Sequence, residues 1–381
     1  VLKRHPWIFS GAIDRIEGRP APGEPIWVLS SRGEPLGMGC YSPSSQIRIR
    51  MLTFGEDGEI EPDLILYRLQ KALRTRISMN IQEKSNAYRV VNSECDGLPG
   101  LIIDQYGDYV VCQFLTAGAE FFRQEIIEAI KKTLSPRGIW ERSDARVREK
   151  EGLEKRCGPL YGDVPERVKI QEQGLYFWVD IKQGHKTGFY LDQRENRSIV
   201  RAFSRGKKVL NCFSYTGAFG IYSLKGGARE VINVDISPKA LELLQANLKL
   251  NGLEGAPSYP LKKNVFHLLR ELYAREENFD IIILDPPKFV SGKKNIQGGI
   301  RGYKELNYSA MRILRPGGLL FTFSCSGLIE EELFKSIVYS SALDAGKEVL
   351  VLKSLSQAMD HFYPMTFPEG KYLKGLMLRV I

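Results

Sequence analysis

Two apolar runs in the last third of the chain show no polar alternation: Phe279-Asp-Ile-Ile-Ile-Leu-Asp-Pro-Pro-Lys288 and Leu319-Leu-Phe-Thr-Phe-Ser-Cys-Ser326. Unbroken hydrophobicity of this length predicts parallel strands covered on both faces. Further strand-like runs lie at Lys208-Val-Leu-Asn-Cys-Phe213, Glu230-Val-Ile-Asn-Val-Asp235, Glu348–Leu352 and Leu376–Val380, and helical spacing appears between runs, as in Pro238–Leu250 and Lys304–Leu314. This alternation predicts a doubly wound, Rossmann-like α/β domain over 176–381.

The chain ahead of it is patterned differently. Residues 1–62 hold short apolar stretches broken by Gly and Pro, such as Pro25-Ile-Trp-Val-Leu29 and Gln46-Ile-Arg-Ile-Arg-Met-Leu52, and predict a small β-barrel. An acidic loop, Phe54-Gly-Glu-Asp-Gly-Glu59, follows; Pro62 is then expected to open a helix reaching about Met79, with Leu64, Leu66, Tyr67, Leu69 and Leu73 on its apolar side. Strands at Tyr88–Val91, Leu101–Asp104 and Tyr109–Leu115, a helix from Phe121 to Leu134 and the charged segment Glu141–Arg156 predict a central α+β domain over 63–175.

Composition narrows the picture. A chain of 381 residues, 43% hydrophobic, is long enough for two or three domains. Nothing in it reaches membrane-spanning length or resembles a signal peptide, and its first residue, Val1, reads as a trimmed start. The cysteines at 40, 95, 112, 157, 212 and 325 form no C-x-x-C pair and no cluster with His, so no metal site and a reduced, cytoplasmic setting are expected. The net charge of +9 is concentrated: residues 182–208 carry eight basic against two acidic residues, and 286–315 seven against one. Either run alone reads as ordinary solvated surface; two runs beside one cleft predict a polyanionic substrate, with no membrane partner.

Ligands of doubly wound sheets bind beyond the carboxyl ends of the strands. If the two apolar strands are neighbours, Asp285 and Cys325 face one cleft. After the first strand of this domain comes Asn211-Cys-Phe-Ser-Tyr-Thr-Gly-Ala-Phe-Gly220, a glycine-containing turn into a helix, and Asp235 ends the next strand, where an acid accepts hydrogen bonds from ribose hydroxyls. The turn lacks both G-x-G-x-x-G and the Walker lysine, so a nucleoside without a pyrophosphate, such as S-adenosylmethionine, fits better than a dinucleotide. For Gly217 and Gly220 taken singly, plain helix packing is as good a reading.

Asn211–Gly220, Val234-Asp-Ile-Ser237, Asp285-Pro-Pro-Lys-Phe289 and Ser324-Cys-Ser326 together resemble the class I methyltransferase domain of ribosomal RNA cytosine-5 methyltransferases. Over nearly its whole length the chain is similar to the ribosomal large-subunit methyltransferase I family. His5-Pro-Trp-Ile-Phe-Ser-Gly11 resembles the start of that family's PUA domain, Val91–Leu101 its central domain, and Lys186-Thr-Gly-Phe-Tyr-Leu-Asp-Gln-Arg-Glu-Asn-Arg197 the entry to its catalytic domain. The resemblance implies S-adenosylmethionine as cofactor, with Asn211, Phe213, Ser214, Tyr215, Thr216 and Gly217 around its methionine and ribose. Asp235 and Ile236 would meet the ribose, Asn264 and Val265 the adenine edge, and Gln193 and Asp285 would add contacts. Many class I enzymes carry Asp where this chain has Asn264; an amide carbonyl still accepts from the adenine amine.

The resemblance also implies chemistry. Carbon 5 of cytosine is a poor nucleophile until a thiolate adds to carbon 6. Cys325 is the expected nucleophile, its thiolate favoured by Lys288 or Arg301, and Asp285 the expected hydrogen-bond partner of the ring. Cys212 reads as packing. No second cysteine stands in Asp-Pro-Pro-Lys, which leaves the base for elimination unassigned. Large-subunit ribosomal RNA is the expected partner, held by Lys186, Lys288, Phe289 and Arg301 and by Trp7, Arg48 and Arg50 of the barrel, although Trp7 as barrel core and Phe289 as core packing are strong alternatives. A homodimer through the barrel or the central domain is left open. The residues also leave open methylation of an exocyclic amine without covalent catalysis, a non-catalytic RNA-binding assembly factor, and, against the missing glycine motif, a nicotinamide-dependent oxidoreductase.

Overall fold

The computed structural model describes residues 3–56, 58, 60–61, 63–290 and 292–381. Val1, Asp57 and Glu59 of the acidic loop, and Pro62 lie outside the described residues. The chain divides into two units. One comprises Val1–Gly174, Val179–Leu191 and Met359–Gly370; the other comprises Leu175–Trp178, Asp192–Ala358 and Lys371–Ile381.

The first unit begins with β1 (Trp7–Phe9), β2 (Pro25–Leu29), β3 (Pro35–Tyr41) and β4 (Ile47–Met51), an antiparallel sheet in the order β1-β4-β3-β2. Ile8, Val28, Ile49 and Met51 form its small core. Helices α1 (Leu64–Ser78) and α2 (Ile81–Lys84) lead into a five-stranded sheet of β5 (Ala87–Asn92), β6 (Leu101–Tyr106), β7 (Tyr109–Phe114), β8 (Gly138–Ser143) and β9 (Arg156–Gly162), in that order. Only β7 and β8 run parallel, and a parallel pair needs a crossover. Helices α3 (Ala117–Phe121) and α4 (Arg123–Leu134) supply it, in place of the single helix expected from Phe121. Thr116 caps α3 by accepting from the Ala119 amide.

The charged segment Glu141–Arg156, which contains α5 (Val147–Lys150), is divided: most of its charges face solvent, and a few turn inward. Glu141, Arg148 and Glu151 are all buried. Arg123 pairs with Glu141, Arg148 with Glu120, and Arg50 of β4 with Glu151.

Strands β10 (Arg167–Glu172) and β11 (Leu175–Asp180) form a two-stranded sheet. The second unit then follows with α6 (Arg194–Phe203), β12 (Lys208–Cys212), α7 (Ala218–Lys225), β13 (Glu230–Asp235), α8 (Pro238–Leu250), β14 (Ser258–Lys262), α9 (Val265–Ala274), β15 (Phe279–Leu284), α10 (Ile296–Arg312), β16 (Leu314–Ser324), α11 (Glu331–Asp344), β17 (Val349–Ser356) and β18 (Lys374–Val380). Its seven strands lie in the order β14-β13-β12-β15-β16-β18-β17. The first five are parallel, and β18 runs antiparallel to both its neighbours. Helices α6, α7 and α8 pack in one layer and α9, α10 and α11 in another, so β12, β15 and β16 are covered on both faces, as their unbroken apolar runs require. The order reverses between β12 and β15, which places the ligand-binding crevice at their carboxyl ends.

Helix α10 starts eight residues earlier than the spacing predicts. Gly298, Gly299 and Gly302 lower the helical propensity of this turn and hide it. Two of these glycines give clearance, while Gly298 has open space: a Cβ on Gly299 would lie 2.1 Å from Val290 Cγ2, and one on Gly302 would lie 3.2 Å from the Phe289 ring. The segment that follows Asp285 is thus pressed against the first turns of α10.

Within the first unit, Arg76 of α1 is the largest buried charge. Its side chain is fully buried, forks onto both carboxylate oxygens of Asp96, and donates to the Asp360 carbonyl at 2.8 Å. Removing one partner of such a pair strands the other charge in a poor solvent. Asp96→Ala is therefore expected to cost about 3 kcal/mol or more of stability. Urea unfolding that shows a loss below about 1 kcal/mol, the worth of an exposed pair, would refute this.

Candidate active site

The cofactor end of the second unit is built around the turn after β12. Phe213, Tyr215 and Gly217 all have positive φ, at 56°, 48° and 80°. Two non-glycine residues in the left-handed region within three positions are costly, and such strain persists only where surrounding contacts hold it. Asp235, at the end of neighbouring β13, supplies those contacts. One carboxylate oxygen accepts from the Tyr215 amide at 2.8 Å and the other from the Ser237 amide at 2.9 Å. Each oxygen keeps lone-pair capacity for a further donor, and Ile236 beside it is 67% exposed.

The turn also holds polar atoms that the protein leaves unsatisfied. Ser214 Oγ, Thr216 Oγ1 and Gln193 Nε2 are buried without a protein partner. Buried polar groups are nearly always paired, so the two orphans of this one turn, Ser214 and Thr216, fit a polar ligand at this end of the sheet. The glycines need no ligand to explain them: a Cβ on Gly217 would lie 2.5 Å from Leu244, and one on Gly220 would lie 2.1 Å from Asn233. Asn211 is buried and donates to Asn233 Oδ1 at 2.8 Å. Asn264 is exposed and caps α9 by accepting from the His267 amide, and Val265 is buried behind it.

Strands β15 and β16 are parallel neighbours with Leu284 opposite Thr322. Asp285 and Cys325, which follow the two strand ends, are therefore brought to the same edge of the sheet, and both are half-buried. No helix begins at Asp285; Pro286 and Pro287 continue as irregular chain, so the carboxylate is not a helix cap. Tyr303 of α10 lies between the two strand ends. Burial raises the pKa of its hydroxyl, and the charges of Cys325 and Asp285 raise it further. The hydroxyl accepts from Ser324 Oγ at 2.9 Å and bonds Ser326 Oγ at 3.1 Å, which fixes the residues on either side of Cys325. Lys374, the first residue of β18, stands opposite Ser324 and donates from Nζ to the Ser326 carbonyl at 2.8 Å. Neither Tyr303 nor Lys374 was expected from the motifs. A lysine at the head of an otherwise apolar strand, Lys374-Gly-Leu-Met-Leu, was the available signal. Cys212 is fully buried within β12, and burial pushes its thiol pKa well up.

The expected RNA contacts scatter. Lys288 and Arg301 are exposed in the second unit, and Phe289 is half-buried with its ring 4.8 Å from Tyr303. In the first unit Lys186 is exposed, and its ammonium sits 4.4 Å above the Tyr190 ring. The residues expected from the barrel all have partners within the protein. Arg50 is buried and spent on ion pairs with Glu151 at 2.9 Å and Glu94 at 3.4 Å, so it presents no free charge to RNA. Arg48 donates to the Ser42 and Pro43 carbonyls. Trp7 packs edge-on against Phe367 and donates from Nε1 to Glu94 at 2.8 Å. Among the described residues no cluster of three His, Cys, Asp or Glu is placed to hold a metal, and no helix is long and apolar enough to cross a membrane.

Comparison with known proteins agrees with this geometry. The profile for S-adenosylmethionine-dependent methyltransferases matches residues 120–336, and that for PUA-like domains matches residues 1–54. A ribosomal RNA large subunit methyltransferase I from Tolumonas auensis is 50% identical over 100% of this chain and 96% of its own. A Streptococcus mutans chain assigned as a SAM-dependent methyltransferase has a TM-score of 0.85 at 23% identity, over 98% of this chain and 95% of its own. A solved methyltransferase candidate complexed with SAH reaches a TM-score of 0.87 at 23% identity, over 100% and 96%. At that identity the solved structures speak for the fold. The length and identity of the first match decide the rest: this chain belongs to the ribosomal RNA large subunit methyltransferase I family, and is a methyltransferase that uses S-adenosylmethionine.

Proposed function

We propose that the chain methylates carbon 5 of a cytosine in large-subunit ribosomal RNA through a covalent bond between Cys325 and the base. The observation that carries this reading is the parallel pairing of β15 with β16, which brings the two strand ends that precede Asp285 and Cys325 to one edge of the sheet. The name borne by the Tolumonas auensis relative supports the choice of RNA.

The residues divide the work as follows. Cys325 Sγ, as thiolate, bonds to carbon 6 of the ring, and the displaced electron pair makes carbon 5 a nucleophile. Asp285 hydrogen-bonds the ring nitrogen or amino edge and stabilises the charge that builds up there. S-adenosylmethionine, when bound, supplies an electrophilic methyl group. A base then takes the carbon 5 proton, its electron pair re-forms the ring double bond, and Cys325 leaves as thiolate. Asp235 and Ile236 hold the cofactor's ribose, and Asn264 and Val265 its adenine edge. Gln193, Ser214, Thr216 and Gly217 line the rest of the cofactor turn. The target base must be single-stranded or flipped out, at a cost of roughly a few kcal/mol. Lys186, Lys288 and Arg301 are the exposed cations that hold the RNA backbone, and Phe289 flanks the base.

Two outcomes are expected. Asp235→Ala removes both ribose acceptors and the tie on the Tyr215 amide, so the affinity for S-adenosylhomocysteine should fall about tenfold or more by calorimetry; unchanged affinity would exclude the cofactor assignment. With S-adenosylmethionine and ribosomal RNA containing 5-fluorocytosine, the protein should form an adduct that survives denaturation, because fluorine blocks the elimination step. Cys325→Ala should form none. Methyl transfer to ordinary RNA without any adduct on the fluorinated one would move the product from carbon 5 to a base amine.

A further inference from the structure

The unpaired question at the crevice is what makes Cys325 a thiolate. An ordinary cysteine has a pKa near 8.5, and reactive thiols lie next to a fixed positive charge. The exposed cations of the sequence motifs are poorly suited. Lys288 and Arg301 both stand in solvent, where their fields are screened. Lys374 differs in three ways. It is 5% exposed, so little water lies around its ammonium. Antiparallel pairing of β16 with β18 sets it directly opposite Ser324. Its Nζ is held at 2.8 Å on the carbonyl of Ser326, so it is pinned to the two residues that flank the thiol.

We propose that Lys374 is the positioning cation that holds Cys325 as a thiolate, the proton passing from Sγ to solvent while the ammonium stays charged. This rests on Cys325 being the nucleophile of the reading above. Burial lowers the Lys374 pKa, a charge on Cys325 raises it, Lys288 lowers it, Glu331 raises it and Lys371 lowers it. Coupling between two titrating groups is reciprocal, so an ammonium stabilised by the thiolate lowers the thiol pKa in turn. Asp285 works against this: its charge, like that of Cys325, reaches the buried Tyr303 hydroxyl, and a second anion at the strand ends raises the thiol pKa. Glu331 is tied to Lys335 and Lys371 in half-buried pairs, whereas Lys374 is buried and held on the residue that follows Cys325.

The test reads the thiol directly. Alkylation of Cys325 by iodoacetamide, followed by peptide mass spectrometry across pH, should give an apparent pKa below the ordinary value in the unmodified protein. Lys374→Met keeps the apolar stem and removes the charge; it also leaves the Ser326 carbonyl without its donor, so its fold is checked by circular dichroism before the titration is read. It should slow alkylation at neutral pH about tenfold, a rise of about one pKa unit. Lys374→Arg should restore part of the shift, and Lys288→Met should leave the profile unchanged. An ordinary or raised pKa in the unmodified protein would overturn the proposal, as would a Lys374→Met profile that matches it while Lys288→Met moves. The fluorocytosine adduct is a separate readout. If Cys325 titrates low through Lys374 but forms no adduct, the cytosine-5 reading fails and the assignment of the cation stands; if the adduct forms and Lys374→Met leaves the thiol unmoved, the reverse holds.

Discussion

The crevice depends on the parallel registration of β15 with β16 and the antiparallel registration of β16 with β18. Parallel strands carry their carboxyl ends to the same edge, so Leu284 opposite Thr322 puts the residues that follow at one rim. Strand β18, running the other way, brings its first residue to that rim from the far side, with Lys374 facing Ser324. Three chain segments distant in sequence thereby deliver a carboxylate, a thiol and an ammonium to one place. A slip of one residue in either pairing would turn the side chains to the opposite face. The apolar burial of Ile281, Ile282, Ile283, Leu320 and Phe321 opposes such a slip, and in that sense core packing sets the chemistry.

The cofactor turn shows the complementary case, where local geometry is held against its own preference. Positive φ at Phe213 and Tyr215 costs of order 1 kcal/mol or more each. Asp235 offsets this with a hydrogen bond from the Tyr215 amide, which is stronger for being charge-assisted. The same carboxylate is thus a brace for the turn and, in the proposed reading, the acceptor for a ribose. A side chain with both duties couples the shape of the turn to the occupant of the site.

Much of this was legible from the residues alone, for reasons that differ by element. Strand β15 was readable because coverage on both faces leaves a long apolar run, and β13 because its short apolar core is bounded by charged residues; the bounds of both fall where the pattern puts them. Strand β14 was not, because it is a partly exposed edge strand carrying Pro260, which the pattern cannot distinguish from a loop. The early start of α10 was hidden by glycines whose purpose, clearance for Phe289 and Val290, exists only in three dimensions. The fate of Arg50 was hidden likewise: alternation in β4 puts a charge where Glu151, a hundred residues on, comes to neutralise it. Motif reading singled out Asp285 and Cys325 because each follows an apolar strand; it passed over Lys374 because a lysine that begins a strand looks like a turn residue until the register is known.

The two cysteines of the α/β domain make the electrostatic argument from opposite sides. Cys212 ends β12, and Cys325 follows the end of β16, so a rule based on strand ends would treat them alike. Cys212 is sealed in apolar packing, and burial with no cation to oppose it pushes its thiol up, toward the inert form. Cys325 is one residue past its strand and half-buried, close enough to a buried ammonium for the two charges to be felt. One residue of chain length thus separates a packing thiol from the one proposed as nucleophile. The carbonyl of Ser326 holds a lysine from another strand next to the residue that follows Cys325, instead of leaving it in solvent.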